Sequence, residues 1–320
     1  MKFRRMGHTG LKVSEICLGT MTFGHQCDDR TGYAIMDKAA NAGVTFLDTA
    51  DAYPVPPTPE TAGRTEEIVG SWLRGRRDRF VLATKCRIRV GTGPNDEGLS
   101  RLHVLRAAED SLRRLNTDYI DLYQAHSFDP ESPQDETLRA FDDLVRQGKV
   151  RYIGCSNLPA WQVVDAEWTA HQLGSHRFIS CQDEYSLVMR DIECELVPAM
   201  TAYGLGLLPF FPLASGLLTG KYRRDGAPPA GARLTLVKRL AERYMTESNW
   251  QIVERLRAFS AERGHNMLEL AFSWLAQRSP VASVIAGATS PAQLEENARA
   301  AGWVLTPEDM AQIDRITKGG

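Results

Sequence analysis

The sequence predicts an α/β fold, a (β/α)8 TIM barrel with an N-terminal hairpin and a long insertion after strand 7. Three observations carry that prediction. Eight short apolar runs begin near Val13, Val44, Phe80, Tyr119, Val150, Phe178, Leu205 and Ser283, rich in the β-branched and aromatic residues that suit buried strands. Most gaps between them hold a helical pattern, and all but the last repeat at 27 to 39 residues, as parallel strands joined by crossover helices require. A length of 320 residues and a hydrophobic content of 43% suit one such barrel, so residues 1–320 read as a single domain.

Taken in order, the residues before Val13 read as a hairpin turning at Gly7-His8-Thr9-Gly10 and closing the barrel floor. The clearest helices are Thr31 to Ala42, Arg101 to Leu115, Pro133 to Gln147, Ala160 to His171 and Pro291 to Ala301, where Leu or Ala recurs at three- and four-residue spacing. Pro54-Val55-Pro56-Pro57-Thr58-Pro59 reads as a stiff rim loop, and the segment from Gly91 to Gly98 as another. The last gap, from Leu205 to Ser283, is 78 residues long. It contains the turn-rich stretch Asp225 to Gly231 and helical segments around Leu234 to Arg263, and reads as an insertion over the mouth of the barrel. A helix from Glu308 to Ile316 ends the chain.

Composition narrows the function classes. Lys and Arg total 38 against 40 Asp and Glu, so a net charge of −2 gives no reason to expect nucleic acid or an anionic membrane as partner. No segment approaches the length of a membrane span and no leader pattern opens the chain, so a cytoplasmic protein acting on a small molecule is expected. A homo-oligomer is compatible with the sequence but not specified by it. The six cysteines, Cys17, Cys27, Cys86, Cys155, Cys181 and Cys194, lack metal-type spacing, and several lie in strand-like runs where a thiol acts as a small hydrophobe. No metal is expected.

Four residues at or just beyond strand ends carry the chemistry: Asp48 after Val44-Thr45-Phe46-Leu47, Tyr53 in the following loop, Lys85 after Phe80 to Thr84, and His126 after Tyr119 to Ala125. In a parallel barrel these ends share one mouth, where barrel enzymes place their chemistry. A phenol is a weak acid at neutral pH, so Tyr53 needs help to protonate a developing alkoxide. An ammonium at Lys85, held charged by Asp48, gives that help by pulling the phenol down from its ordinary value. A neutral His126 orients a carbonyl oxygen through a ring nitrogen. Each residue alone has an ordinary structural reading, as loop anchor or packing; the four together suit reversible carbonyl reduction.

With their surroundings, these residues resemble the aldo-keto reductase superfamily. The resemblance rests on Phe46 to Tyr53, Thr84-Lys85, Asp118 to His126 and Gly148 to Asn157, and runs from about Gly10 to Leu305. Phe210 to Tyr222 makes it most similar to the branch of bacterial general reductases and potassium-channel β subunits. The resemblance implies NAD(P)H-dependent reduction of aldehydes or ketones, with Tyr53 as general acid and a small carbonyl compound as substrate. It implies a cofactor held without a dinucleotide-binding glycine motif, and neither Gly91-x-Gly93 nor Gly204-x-Gly206 has the third glycine. Ser156, Asn157 and Gln182 would meet the nicotinamide carboxamide and Phe210 the ring. Lys221 and Arg233 would meet the phosphates. Gly287, Thr289, Gln293, Glu296 and Asn297 would take the adenosine end. Gly19, Thr20, Met21, Phe211, Pro212, Leu213, Ala214 and Ser215 complete the implied contacts. NADPH is favoured, with NADH the alternative because a basic residue common among relatives is replaced near Gly287, Thr289 and Gln293. Ser127-Phe128 also departs from the usual pattern, so no relative's substrate is carried over. The mouth is expected to offer Met21, Phe23, Tyr53, Arg87, Phe128, Tyr185 and Tyr222. The competing readings are a nucleotide-binding regulatory subunit with slow turnover and, less well supported, a metal-dependent barrel hydrolase.

Overall fold

The computed structural model describes residues 1–227 and 229–318, so Pro228 of the turn-rich stretch and Gly319 and Gly320 lie outside the described residues. Strands β1 (Phe3–Arg5) and β2 (Lys12–Ser14) pair antiparallel as the expected hairpin. The barrel follows: β3 (Ile16–Gly19), β4 (Phe46–Asp48), β5 (Val81–Cys86), β6 (Ile120–Ala125), β7 (Val150–Ser156), β8 (Phe178–Glu184), β9 (Gly206–Phe210) and β10 (Val284–Gly287). Their spatial order is β10-β3-β4-β5-β6-β7-β8-β9, every pair parallel. Leu207 closes the ring toward the last strand: its N–H donates to Pro280 O at 3.0 Å and its carbonyl accepts from Ala282 N at 2.9 Å.

The run beginning at Val13 divides between two sheets. Val13 belongs to the hairpin, and the barrel strand starts at Ile16, because Ser14 turns the chain: its Oγ donates to Ile16 O at 2.7 Å and accepts from Thr45 N at 3.1 Å. The hairpin closes the floor as expected. Met6, fully buried, packs with Val13, Cys17, Phe46, Ala83, Leu122, Leu208, Ala282 and Ile285, the cluster inside the barrel. Gly7 makes that fit possible, since at φ +52° it lies where a Cβ would stand 2.3 Å from Gly204 O.

The outer layer is helical: α1 (Asp29–Asn41), α2 (Arg64–Leu73), α3 (Arg101–Leu115), α4 (Gln134–Arg146), α5 (Ala160–Leu173) and α6 (Leu196–Tyr203) alternate with the strands. The insertion carries α7 (Arg233–Leu236), α8 (Lys238–Tyr244) and α9 (Glu247–Glu262) before the crossover helix α10 (Met267–Ala276). Helix α11 (Pro291–Ala300) follows the last strand and α12 (Pro307–Lys318) lies after it. Side-chain caps fix several starts: Asp28 accepts from Thr31 N, Ser100 from His103 N, and Asn266 forms a reciprocal box with Glu269. Helix α10 escapes sequence reading because Leu270 to Ala276 are all buried, which erases the amphipathic period. No helix among the described residues is long and apolar enough to cross a membrane.

Candidate active site

Strand register brings the first set of side chains together. Asp48 ends β4, Lys85 lies opposite Gln124 on the adjoining strands, and His126 follows β6 directly. The Lys85 ammonium is fully buried; it donates to Asp48 Oδ1 at 2.6 Å and to Thr49 O at 2.8 Å. The second carboxylate oxygen of Asp48 accepts from Gln182 Nε2 at 2.9 Å and Gln124 Nε2 at 3.3 Å. Asp48 is thus fixed from both sides. Burial pulls Lys85 down, but Asp48 and Tyr53 together more than restore it, and the ammonium stays charged.

Tyr53 lies over this pair, its ring centre 5.1 Å from Lys85 Nζ, and meets the His126 ring edge-on at 5.7 Å between centroids. Burial pushes the phenol above its ordinary value; the charge of Lys85 pulls it back without overcoming burial, and Asp48 adds to the rise. The expectation that Lys85 holds Tyr53 below its ordinary value is therefore corrected: a dry site favours the neutral phenol. Burial and the charges of Lys85 and Arg87 hold His126 well below its usual range, leaving a neutral imidazole whose buried Nδ1 has no hydrogen-bond partner among the described residues.

Behind the set lies a polar layer that the sequence reading missed. Fully buried Glu66 accepts from Thr84 Oγ1 at 2.6 Å and from Arg114 Nε at 2.7 Å, tying α2 and α3 to β5. Asp51, 1% exposed, has neither carboxylate oxygen hydrogen-bonded, and burial followed by the charge of Glu66 pushes it well above the carboxylate range. Gln124 was missed too, although its position two residues before His126 on an alternating strand marks it as inward-facing.

The remaining candidates occupy the other side of the mouth. Asn157, at φ +55° beyond β7, donates from Nδ2 to His126 O at 3.1 Å and to Ser156 Oγ at 2.8 Å. Gln182 gives its amide nitrogen to Asp48, leaving Oε1 without a protein donor among the described residues. Half-buried Phe210 ends β9 with Phe211 edge-on at 5.2 Å. Phe211, Ala214 and Ser215 all have left-handed backbone, Pro212 and Leu213 lie within that turn, and Ser215 Oγ is buried with no partner among the described residues. Arg233 stands 5.2 Å over the Phe211 ring, and burial lowers its pKa. Lys221 is exposed near Gly216. Thr289 donates from N and Oγ1 to Gln293 Oε1 at 2.9 Å, Asn297 Nδ2 donates to Gly287 O at 3.2 Å, and Glu296 is exposed. Thr20 donates to Asp48 O from Oγ1 at 2.9 Å, between Gly19, which ends β3, and Met21.

Three expected mouth residues do not line it. Phe23 is fully buried; Tyr185 is 2% exposed, hydrogen-bonded to Glu193 and packed on Trp274; Tyr222 is 1% exposed and accepts from Leu234 N at 3.1 Å. All three support the layers behind the rim.

Comparison with known proteins agrees with this arrangement. Residues 15–318 match the Aldo/keto reductase family. A probable voltage-gated potassium channel subunit beta from Oryza sativa subsp. japonica is 37% identical, the alignment covering 99% of this chain and 97% of that protein. The uncharacterized oxidoreductase YrpG of Bacillus subtilis is 36% identical over 100% and 97% of the two chains. Versiconal hemiacetal acetate reductase of Aspergillus parasiticus is 32% identical over 98% and 96%. With eight parallel strands and the carboxylate, phenol, amine and imidazole of Asp48, Tyr53, Lys85 and His126 gathered at one mouth, the chain belongs to the aldo/keto reductase family.

Proposed function

We propose that the protein is an NADPH-dependent carbonyl reductase that converts aldehydes or ketones to alcohols, with Tyr53 as the proton donor. The observation that carries this reading is the buried Lys85–Asp48 pair beneath Tyr53 and beside a neutral His126. When bound, the nicotinamide supplies a hydride to the carbonyl carbon. Tyr53 carries its proton at neutral pH and gives it to the oxygen as negative charge develops there. Lys85 favours the phenolate left behind, and Asp48 acts on Tyr53 through Lys85. His126 donates to the same oxygen and sets its position.

The nucleotide reading is supported by groups that otherwise lack a partner. Ser215 Oγ is buried and unbonded, and Arg233 has no carboxylate in ion-pair range among the described residues. These residues, with Lys221, fit a pyrophosphate at the strained turn after β9. Ser156, Asn157 and the free Oε1 of Gln182 fit a carboxamide, and Phe210 fits the face of a ring. At the adenosine end, Gln293 Oε1 is engaged by Thr289, so its amide N–H groups are left as donors, which favours a 2′-phosphate and hence NADPH over NADH.

The test is consumption of NADPH and NADH with an activated aromatic aldehyde, with Tyr53→Phe beside the wild type. The expected result is turnover with NADPH that falls by about 10²- to 10⁴-fold in the variant while nucleotide binding persists. Undiminished turnover in the variant would remove Tyr53 from its role. Tight nucleotide binding with negligible wild-type turnover would favour the regulatory-subunit reading, which the similarity to a potassium-channel subunit supports.

A further inference from the structure

Arg87 is a charged residue expected at the mouth whose chemistry the proposed reaction leaves unused. It follows β5 directly, two residues beyond Lys85 at the same end of the barrel. Its backbone sits at φ +131°, a conformation that side-chain-bearing residues rarely adopt. Its Nε is buried with no hydrogen-bond partner, and the guanidinium forms no ion pair among the described residues. A buried guanidinium N–H left without an acceptor is unusual, because buried donors are nearly always satisfied.

The nearby charges do not account for it. Asp129 is close enough to feel the Arg87 charge, yet its carboxylate already accepts from Leu99 N at 2.6 Å, Ser132 Oγ at 2.7 Å and Glu131 N at 3.1 Å. Arg89, two residues on in the same loop, is satisfied by Glu97 and by Gly93 O. His126 also feels the Arg87 charge, which helps to keep its imidazole neutral. A free guanidinium thus lies at the end of β5, on the side of the mouth that carries Lys85 and His126, and within reach of the His126 ring by its charge.

We propose that Arg87 determines substrate specificity by receiving a carboxylate or phosphate group of the substrate, so that the preferred substrates are aldehydes or ketones bearing an anionic group a few atoms from the carbonyl. The substrate class rests on the reductase reading; the anion site itself does not. The planar fork suits two oxygens of either anion. With its anion held at β5 and its carbonyl at Tyr53 and His126, such a substrate is oriented by two points.

The experiment compares wild type, Arg87→Met and Arg87→Lys on matched pairs: para-carboxybenzaldehyde with its methyl ester, and glyceraldehyde phosphate with glyceraldehyde. The ratio of kcat/KM for anionic over neutral member should fall by about tenfold or more in Arg87→Met and by less in Arg87→Lys. The pair that shows the larger fall identifies carboxylate or phosphate as the anion. An unchanged ratio for both pairs overturns the proposal. Calorimetric titration with benzoate and with inorganic phosphate reads the site without turnover. Anion binding in wild type and its loss in Arg87→Met support the site even if no aldehyde is reduced, which would count against the reductase reading alone; no binding in the wild type, or equal binding in both, overturns the anion site.

Discussion

Tyr53 and His126 share one dry mouth, yet burial moves them in opposite directions, because it penalises whichever form of a group is charged. Tyr53 is held as the neutral phenol and His126 as the neutral imidazole, the two forms that the proposed reduction needs. The pH dependence follows. Reduction should show no loss from His126 as pH falls through 6.5, its ordinary value, since the folded-state value lies well below that. Reduction should persist until the phenol ionises above its ordinary value of 10.0. Alcohol oxidation needs the phenolate as base, so its rate should rise with pH throughout the neutral and mildly alkaline range. Initial rates in both directions from about pH 5.5 to 9.5 check this; a loss of reduction near pH 6.5 would contradict the neutral imidazole. The four residues were legible in sequence because Asp48, Lys85 and His126 each sit at or just beyond the end of a strand-like run and Tyr53 lies in the loop after the first. The direction of the Tyr53 shift was not, since it depends on how completely the site is enclosed.

On strand β8, alternation sends Gln182 inward to Asp48 and Asp183 outward, where it is 6% exposed with Oδ2 unbonded. Burial raises the Asp183 carboxyl to about 7, against an ordinary value of 3.8, while the Asn157 N–H opposes the rise. A carboxyl raised on folding makes the folded state hold a proton that the unfolded chain has lost, so stability falls as pH rises from about 4 to about 7. Above that window the cost is at most about 4 kcal/mol. Asp183→Asn should therefore be more stable than wild type at pH 8, with the difference shrinking as pH falls toward 4; urea midpoints at pH 8 and pH 5 measure it, and a pH-independent difference would show that ionisation is not the cause. The strands themselves were legible, all eight from their apolar runs. Helix α10 was not, being buried on every side, and the β2–β3 break was not, because it depends on one serine hydroxyl turning the chain.

The whole mouth divides by strand. β4 to β6 supply Asp48, Tyr53, Lys85 and His126, while β7 to β10 and β3 supply the residues proposed to hold the nucleotide. The insertion spans the second half and brings Arg233 back over Phe211 from 22 residues further along the chain. Arg233→Ala should weaken NADPH binding by about tenfold and flatten its decline with added salt, since on the proposed reading one phosphate-facing charge is gone. Fluorescence titration at low and high ionic strength measures both effects, and equal affinity in the two proteins would place the phosphates elsewhere. Sequence indicated that the gap before the last strand was long and lay over the mouth. It could not show that Phe23, Tyr185 and Tyr222 turn away into the layers behind, because aromatic residues suit a pocket wall and a core equally well.

Gln182 crosses the division between the two halves: its amide nitrogen secures Asp48, and the oxygen of the same amide, without a donor among the described residues, is the one proposed to meet the nucleotide. On the proposed reading, evolution could adjust the adenosine rim at Thr289 and Gln293 without disturbing proton transfer, but a change at Gln182 would alter dinucleotide grip and acid strength at once. Cofactor preference should drift among descendants of this chain while that glutamine stays put.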